Sequence, residues 1–141
     1  MNIIGKSVIR KDAFEKVTGR AKYTADELAG PSLHIKMVTS PYGHAKIVSI
    51  DVTEAKIVSG VRAILLGSHD LPLTGEEIRD RPPLAVEKVR YYGEPVALVV
   101  ADTPVIAKKA ADLIKVQYEL LPVVNTPTEA LKSDAPILHR R

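Results

Sequence analysis

Histidine has the widest chemical scope of the residue types in this chain, because its imidazole ligates metals and exchanges protons near neutral pH. The four histidines are His34, His44, His69 and His139. No two have the i, i+4 spacing of a helical metal-binding pair, and His34 and His44, which flank a predicted turn, lack a third ligand. The absence of cysteine excludes thiolate nucleophiles, zinc–thiolate sites and iron–sulfur ligation by these residues. We therefore predict no metal site in this chain.

Acidic side chains and glycines indicate no reaction centre either. Residues 74–81 (TGEEIRDR) alternate carboxylates with cations, which is typical of a solvated loop rather than of a buried acid–base pair. No phosphate-binding glycine run is present, and Ser40 lacks the G-x-S-x-G setting of a serine nucleophile. Residues 92–95 come nearest to a ligand loop, but a plain turn is the simpler interpretation. The sequence predicts no catalytic and no cofactor-binding residue.

Composition narrows the class of protein. The chain has 141 residues, 45% of them hydrophobic and 4% aromatic, which suits one domain with an aliphatic core. Its 20 basic and 17 acidic residues are spread along the chain, so no nucleic-acid partner is predicted. The longest apolar run, Val96–Ala101, is far too short to cross a bilayer, and no signal peptide is visible. We expect no membrane contact and a cytoplasmic location.

Hydrophobic periodicity predicts the elements of the first half of the chain. Leu33–Ser40 and Ala45–Val52 alternate as strands do, and the short turn at residues 41–43 predicts that they pair as a hairpin. A short helix is predicted next, with Thr53 as its cap and a left-handed Gly60 after its end.

The second half of the chain contains two apolar runs that read as buried strands, Val61–Leu66 and Val96–Ala101. Between them, Gly67–Pro83 is rich in breakers and predicts a long surface loop. A helix is predicted from Pro104, capped by Asp102 or Thr103 and packed on a sheet through its alanines, and strand character returns at residues 116–120. These elements predict an α+β domain, with a mixed sheet and two strand–helix–strand passages.

Five strings in the chain follow one another in the order of a known protein family. They resemble the motifs K-V-T-G-x-A-x-Y-x-x-D, S-P-x-A-H-A-x-I, D-x-x-x-A…P-G-V, V-R-Y-x-G-[QE]-P-V-A and A-x-x-A-A…V-x-Y-x-x-L-P. Here they are residues 16–26, residues 40–47, Asp51 to Val61, residues 89–97, and Ala107 to Pro122. The chain therefore resembles the N-terminal α/β-hammerhead domain of the molybdenum-binding subunit of xanthine dehydrogenases and aldehyde oxidases.

That resemblance implies a hammerhead domain over residues 1–131, with residues 132–141 as a tail toward a missing molybdopterin-binding region. The parent enzyme is expected to hydroxylate purines, other N-heterocycles or aldehydes with oxygen from water. It is expected to use molybdopterin-bound molybdenum, 2Fe-2S clusters and usually FAD. The expected partners are the remainder of the molybdenum-binding subunit and the FAD and iron–sulfur subunits or domains. No catalytic residue of the family maps onto this chain, so alone it is predicted to be inactive.

Two turns that match the family motifs are the candidate contacts with the rest of the subunit. Both are predicted to lie on the surface, and the fold of the isolated domain does not require these residue types there. The candidate interface residues are Ser40, Pro41, Tyr42, Gly43, His44, Tyr91, Gly93, Glu94 and Pro95. Gly43 stands where the family often has alanine, and Glu94 where glutamine is common. Two alternatives remain open: a free-standing assembly module that has lost the catalytic part, and a small-molecule-binding domain with a pocket under the Gly67–Pro83 loop.

Overall fold

The computed structural model describes residues 3–27, 30 and 32–139. The chain divides into two compact units, Met1–Ser32 and Leu33–Arg141. The first unit contains helix α1 (Ala13–Val17) and a 3-10 turn at Thr24–Glu27. Residues 140 and 141 of the predicted tail lie outside the described residues. No helix among the described residues is long and apolar enough to cross a membrane.

The second unit is built from two antiparallel sheets of three strands each. The six strands are β1 (His34–Thr39), β2 (Ala45–Asp51), β3 (Val61–Leu66), β4 (Lys88–Val89), β5 (Pro95–Ala101) and β6 (Lys115–Leu120). One sheet has the order β1-β5-β3 and the other the order β4-β2-β6. The three helices of this unit are α2 (Thr53–Lys56), α3 (Pro104–Asp112) and α4 (Pro127–Ala130).

The α+β class is confirmed, but two details of the predicted sheet are wrong. All strand pairs of the described residues are antiparallel, so neither sheet is mixed. The predicted hairpin does not form, because β1 pairs with β5 and β2 pairs with β6. Alternation identifies a strand but carries no information about its partner. The turn after β1 is instead held by backbone hydrogen bonds between Ser40 and the residues before β5.

The main core lies where α3 covers one face of β5. Ala97 and Val99 of β5 are fully buried, and they face Ala110 and Ala111 of α3 together with Ala55 of α2. Alanines at the contact let the helix approach the sheet closely, as the sequence predicted. A second, smaller cluster contains Ala45, Ala85, Val89 and Val96.

The start of α3 follows the predicted capping pattern. Thr103 has an extended backbone, and its hydroxyl accepts a hydrogen bond from the Ile106 N–H at 3.2 Å. Pro104 occupies the first turn, where a missing N–H costs nothing. The predicted cap of α2 is wrong, because Thr53 is its first helical residue and no side chain caps it. Gly60 does adopt the predicted left-handed conformation, with φ of +88°.

Replacing Thr103 with alanine is expected to lower the free energy of unfolding by about 1 kcal/mol, because the Ile106 N–H loses its acceptor. Thr53→Ala is the control, since the Thr53 hydroxyl caps no helix and bonds the exposed Asp51 side chain in solvent. Urea denaturation followed by circular dichroism measures both variants. Equal shifts of the two midpoints would show that the Thr103 cap does not stabilise α3.

β3 was predicted to be buried, but it is an edge strand whose Arg62 and Leu65 are exposed. Gly67 follows it at a close backbone approach. A Cβ at this position would lie 2.2 Å from the Ala85 carbonyl oxygen. Glycine is therefore required at position 67 because there is no room for a Cβ atom, and not because the backbone has a positive φ angle.

Gly67→Ala is expected to lower the free energy of unfolding by roughly 1–3 kcal/mol, because the backbone around Ala85 must move to admit the methyl group. Gly30→Ala is the control, since no described atom lies within 4 Å of its Cβ and its φ is not positive. Chemical denaturation of both variants decides the point. A Gly67 variant as stable as the control would contradict the close approach.

Candidate interface at the paired turns

The two motif turns, Ser40–Ala45 and Tyr91–Pro95, lie side by side and are called the paired turns below. The Ser40 N–H donates to the Glu94 carbonyl at 2.9 Å, and the Gly93 N–H donates to the Ser40 carbonyl at 2.9 Å. These bonds join the end of β1 to the start of β5. The sequence predicted both turns but gave no sign that they pair.

Ser40 is buried, with 1% of its surface exposed, and it shapes the first turn. Its hydroxyl donates to the Tyr42 carbonyl and accepts from the Tyr42 N–H, both at 3.0 Å. The Tyr42 ring meets the edge of Tyr118 on β6, with ring centroids 5.3 Å apart. Burial raises the pKa of the Tyr118 phenol, so this hydroxyl stays neutral at physiological pH. The first turn therefore holds Tyr42 in a fixed position on the surface.

Glu94 is a buried carboxylate, with 4% of its surface exposed. It accepts hydrogen bonds from the backbone N–H of Arg90 and, at 3.3 Å, from the Arg90 guanidinium. Arg90 also donates to the carbonyl oxygens of Lys88, at 3.3 Å, and of Leu138, at 3.2 Å. The buried charge is thus paired inside the domain, and part of the predicted tail is bound to the same arginine.

His44 is also buried, with 4% of its surface exposed. Its Nδ1 lies 2.7 Å from the Pro122 carbonyl, which can only accept, so Nδ1 carries the proton. The other nitrogen, Nε2, is the one buried side-chain polar atom of the described residues without a hydrogen-bond partner. His44 therefore ties the first turn to the chain after β6. The described residues contain no group of three or more His, Cys, Asp or Glu side chains that could hold a metal ion.

The nine predicted interface residues fall into two groups. Ser40, His44 and Glu94 are buried and hydrogen-bonded within the chain, whereas Pro41, Tyr42 and Tyr91 are exposed. Gly43, Gly93 and Pro95 are half-buried between them. Tyr92, at the variable position of its motif, was not among the predicted residues, but it is the most exposed of these aromatics at 77%. The surface available for contact is thus aromatic, and the buried residues hold it in place.

A molybdopterin does not fit the residues present. A cavity of about 210 Å³ beside the paired turns is lined by Arg90, Tyr91 and Tyr92, and the Arg90 guanidinium is already engaged. A cavity of about 280 Å³ lies under the Gly67–Pro83 loop. Three larger depressions, of about 310, 450 and 470 Å³, contain none of the buried polar side chains Ser40, His44 and Glu94 in their lining. A cofactor of this size requires several convergent polar groups, whereas His44 Nε2 is the one buried side-chain polar atom of the described residues without a hydrogen-bond partner.

Comparison with known proteins places this fold in a family. The model of the aldehyde oxidase and xanthine dehydrogenase a/b hammerhead domain matches residues 18–122. The nicotinate dehydrogenase large molybdopterin subunit of Eubacterium barkeri is 38% identical over 140 residues, covering 97% of this chain and 33% of that subunit. The xanthine dehydrogenase molybdenum-binding subunit of Escherichia coli O157:H7 is 38% identical over 143 residues, covering 93% of this chain and 19% of that subunit. The chain thus spans a third or less of these relatives.

A solved structure agrees with the sequence comparison. Quinoline 2-oxidoreductase from Pseudomonas putida 86 superposes with a TM-score of 0.75 at 38% identity, covering 95% of this chain and 18% of that chain. The hammerhead fold and the family resemblance drawn from the five strings are both confirmed. The chain therefore belongs to the aldehyde oxidase and xanthine dehydrogenase family, through its a/b hammerhead domain.

Proposed function

We propose that this chain is the N-terminal hammerhead domain of the molybdenum-binding subunit of a hydroxylase, in which it positions and packs while catalysis takes place elsewhere. One observation carries this proposal: the relatives match nearly all of this chain, but the matched part is only 33% or 19% of their own length. The hammerhead domain covers about residues 1–131, and the segment after it leads toward the molybdopterin-binding region.

The parent assembly oxidises a purine, another N-heterocycle or an aldehyde. The net reaction converts a substrate C–H bond to C–OH with oxygen from water and releases two protons and two electrons, which iron–sulfur clusters and FAD of the other domains or subunits would accept. The names of the relatives support this substrate class, since they include nicotinate and xanthine dehydrogenases and a quinoline oxidoreductase. Purine catabolism in the cytoplasm is the corresponding setting. Molybdenum, FAD and the iron–sulfur clusters belong to the other domains or subunits.

The paired turns make the contact with the remainder of the subunit through Pro41, Tyr42 and Tyr91, joined by Tyr92. Exposed tyrosines on a backbone already fixed by buried hydrogen bonds require little further loss of backbone entropy on contact. Ser40, His44 and Glu94 act indirectly, because they hold these side chains in position.

The proposal is tested by purifying the assembly through an affinity tag on this chain. We expect molybdenum and a subunit or segment related to the molybdenum-binding subunits, with dye-linked oxidation of hypoxanthine, nicotinate or an aldehyde. The chain purified alone, the control, is expected to be inactive. The proposal would be contradicted if the chain alone bound molybdopterin and oxidised hypoxanthine. A tagged chain that brings no molybdenum protein with it would instead favour a free-standing assembly module.

Tyr91→Ser is expected to reduce the yield of this assembly several-fold while leaving the isolated chain folded, because it removes an exposed aromatic contact. Tyr23→Ser is the matched control, since Tyr23 is a comparably exposed tyrosine outside the paired turns. Size-exclusion chromatography of the tagged assembly gives the yield. Equal yields of assembly for the two variants would show that Tyr91 does not contribute to the interface.

A second candidate function is small-molecule binding by the domain itself. The cavity of about 280 Å³ under the Gly67–Pro83 loop favours it, with Ser68, His69 and Asp80 among its polar lining. A ligand that binds the native state raises the melting temperature. Thermal-shift screening of the isolated chain with purines, nicotinate and aldehydes therefore decides between the two, and no shift would eliminate this candidate.

A further inference from the structure

The central strand β5 is apolar on both faces, but the described residues of the Leu33–Arg141 unit cover only one of them. Ala97 and Val99 face α3 and are fully buried. Leu98 and Val100, which alternate with them, point to the opposite face and are only half-buried. An antiparallel strand with one face in water normally carries polar side chains there. The sequence of β5 therefore indicates a second cover that the described residues do not supply.

The neighbouring strands extend this uncovered surface. Ile35 and Met37 of β1 pair with Val100 and Leu98, and directly opposed residues share a face. On the other side, Ala63 and Leu65 of β3 pair with the same two residues. Ile35 is 60% exposed, Met37 52% and Leu65 46%. The open sheet face is hereafter the surface formed by Ile35, Met37, Ala63, Leu65, Leu98 and Val100.

The chemistry of the open sheet face restricts what can cover it. None of its six side chains carries a charge or a hydrogen-bonding group, so a nucleic acid or a polar ligand gains nothing there. It also lacks the tyrosine, tryptophan and arginine anchors that dominate contacts between separately folded proteins. Such a surface resembles half of a domain core and calls for an aliphatic surface of matching shape.

The apolar area of the open sheet face indicates whether the element that covers it belongs to a separate protein or to the same polypeptide. Six side chains of this size, about half exposed, present roughly 300 Å² of apolar surface. A stable interface between separate proteins buries about 800 Å² on each partner, so a second copy of this chain is not held by this face alone. A segment of the same polypeptide is held by far less, because its effective concentration is high. The relatives that match this chain continue over at least twice its length beyond the matched part.

We propose that the open sheet face is a second docking surface, covered by an aliphatic element of the remainder of the molybdenum-binding subunit. The proposal rests on the proposed function but uses a face distinct from the paired turns. In this arrangement β5 is covered on both faces, by α3 on one side and by the docked element on the other. β3 then becomes buried, as its apolar sequence predicts.

The absence of cysteine from the chain allows a site-specific test. Met37→Cys places one thiol on the open sheet face, and Lys36→Cys places one on the same strand but on the opposite face, where Lys36 pairs with Val99 and is exposed. Both variants are labelled with a maleimide, as the isolated chain and within the tagged assembly, and the peptides are quantified by mass spectrometry. We expect assembly to slow labelling of the thiol at position 37 by at least about tenfold, and that at position 36 much less.

The outcomes separate this proposal from the proposed function. A molybdenum-containing assembly in which position 37 stays as reactive as in the isolated chain overturns the docking surface and leaves the proposed function standing. Equal protection at positions 36 and 37 also overturns it, because the cover would then not be specific to the face. Protection in the purified chain alone, with a dimer in analytical ultracentrifugation, would assign the face to a second copy. An assembly without a molybdenum protein overturns both proposals.

Discussion

Val99→Asp abolishes cooperative folding of the Leu33–Arg141 unit. Val99 is fully buried in the middle of β5, against the alanines of α3, and the one well-buried ion pair of the described residues, Arg90–Glu94, belongs to the paired turns. A carboxylate without a partner costs tens of kcal/mol in such an environment, and even the protonated acid costs several. The whole stability of a domain is about 5–15 kcal/mol, so the substitution exceeds what the fold can absorb.

Leu65→Asp is the control for this variant, since Leu65 lies in the same sheet but on the open sheet face, where a carboxylate reaches water. The isolated chain with this change is expected to melt cooperatively. Circular dichroism melting and the soluble yield on expression compare the two. A Val99→Asp protein with a cooperative transition near that of the parent would show that Val99 is not in the core.

The elements that were predicted correctly are those whose structure is determined by residues close to them in the sequence. The helix from Pro104 and its Thr103 cap depend on neighbouring residues only, and the strand Val96–Ala101 is identified by an unbroken apolar run between turn signals. The left-handed Gly60 is local in the same way. In each case the residues that specify the element lie within a few positions of it along the chain.

The missed features all depend on partners distant in sequence. Whether β1 pairs with β2 or with β5 is decided by packing, and the short turn between β1 and β2 favoured the wrong answer. His44 bonds the Pro122 carbonyl across 78 positions, which no local pattern reveals. β3 has the sequence of a buried strand but is exposed here. Under the proposed docking surface, the remainder of the subunit would supply the burial that this sequence predicts.

The motif residues also divide in a way that the strings alone do not reveal. Ser40, His44 and Glu94 all occupy motif positions, but each is buried and engaged within the domain. Their identity therefore reflects the construction of the paired turns. Tyr92, at a variable motif position, is instead 77% exposed. Motif identity at Ser40, His44 and Glu94 therefore indicates how the paired turns are built.

Glu94→Ala is the sharpest test of that construction. It leaves the Arg90 guanidinium, with 18% of its side chain exposed, without its carboxylate, and it leaves the Arg90 backbone N–H without an acceptor. Breaking a buried ion pair by removing one partner costs about 3–5 kcal/mol, which we expect as the loss in free energy of unfolding. Urea denaturation of the isolated chain measures it. The second turn and the Leu138 contact of Arg90 are expected to loosen together.

Glu94→Gln separates the hydrogen bond from the charge at this position. The glutamine carbonyl still accepts from the Arg90 N–H, so we expect a smaller loss of about 1–2 kcal/mol. Glu119→Ala is the exposed control, since its pairing with Lys46 at 3.9 Å lies in solvent and its removal leaves the unfolding midpoint nearly unchanged. If Glu94→Ala shifted the midpoint no more than Glu119→Ala, the buried ion pair would not hold the paired turns. Stability that rises from Glu94→Ala through Glu94→Gln to the parent would instead show that the rigidity of the paired turns depends on this one carboxylate.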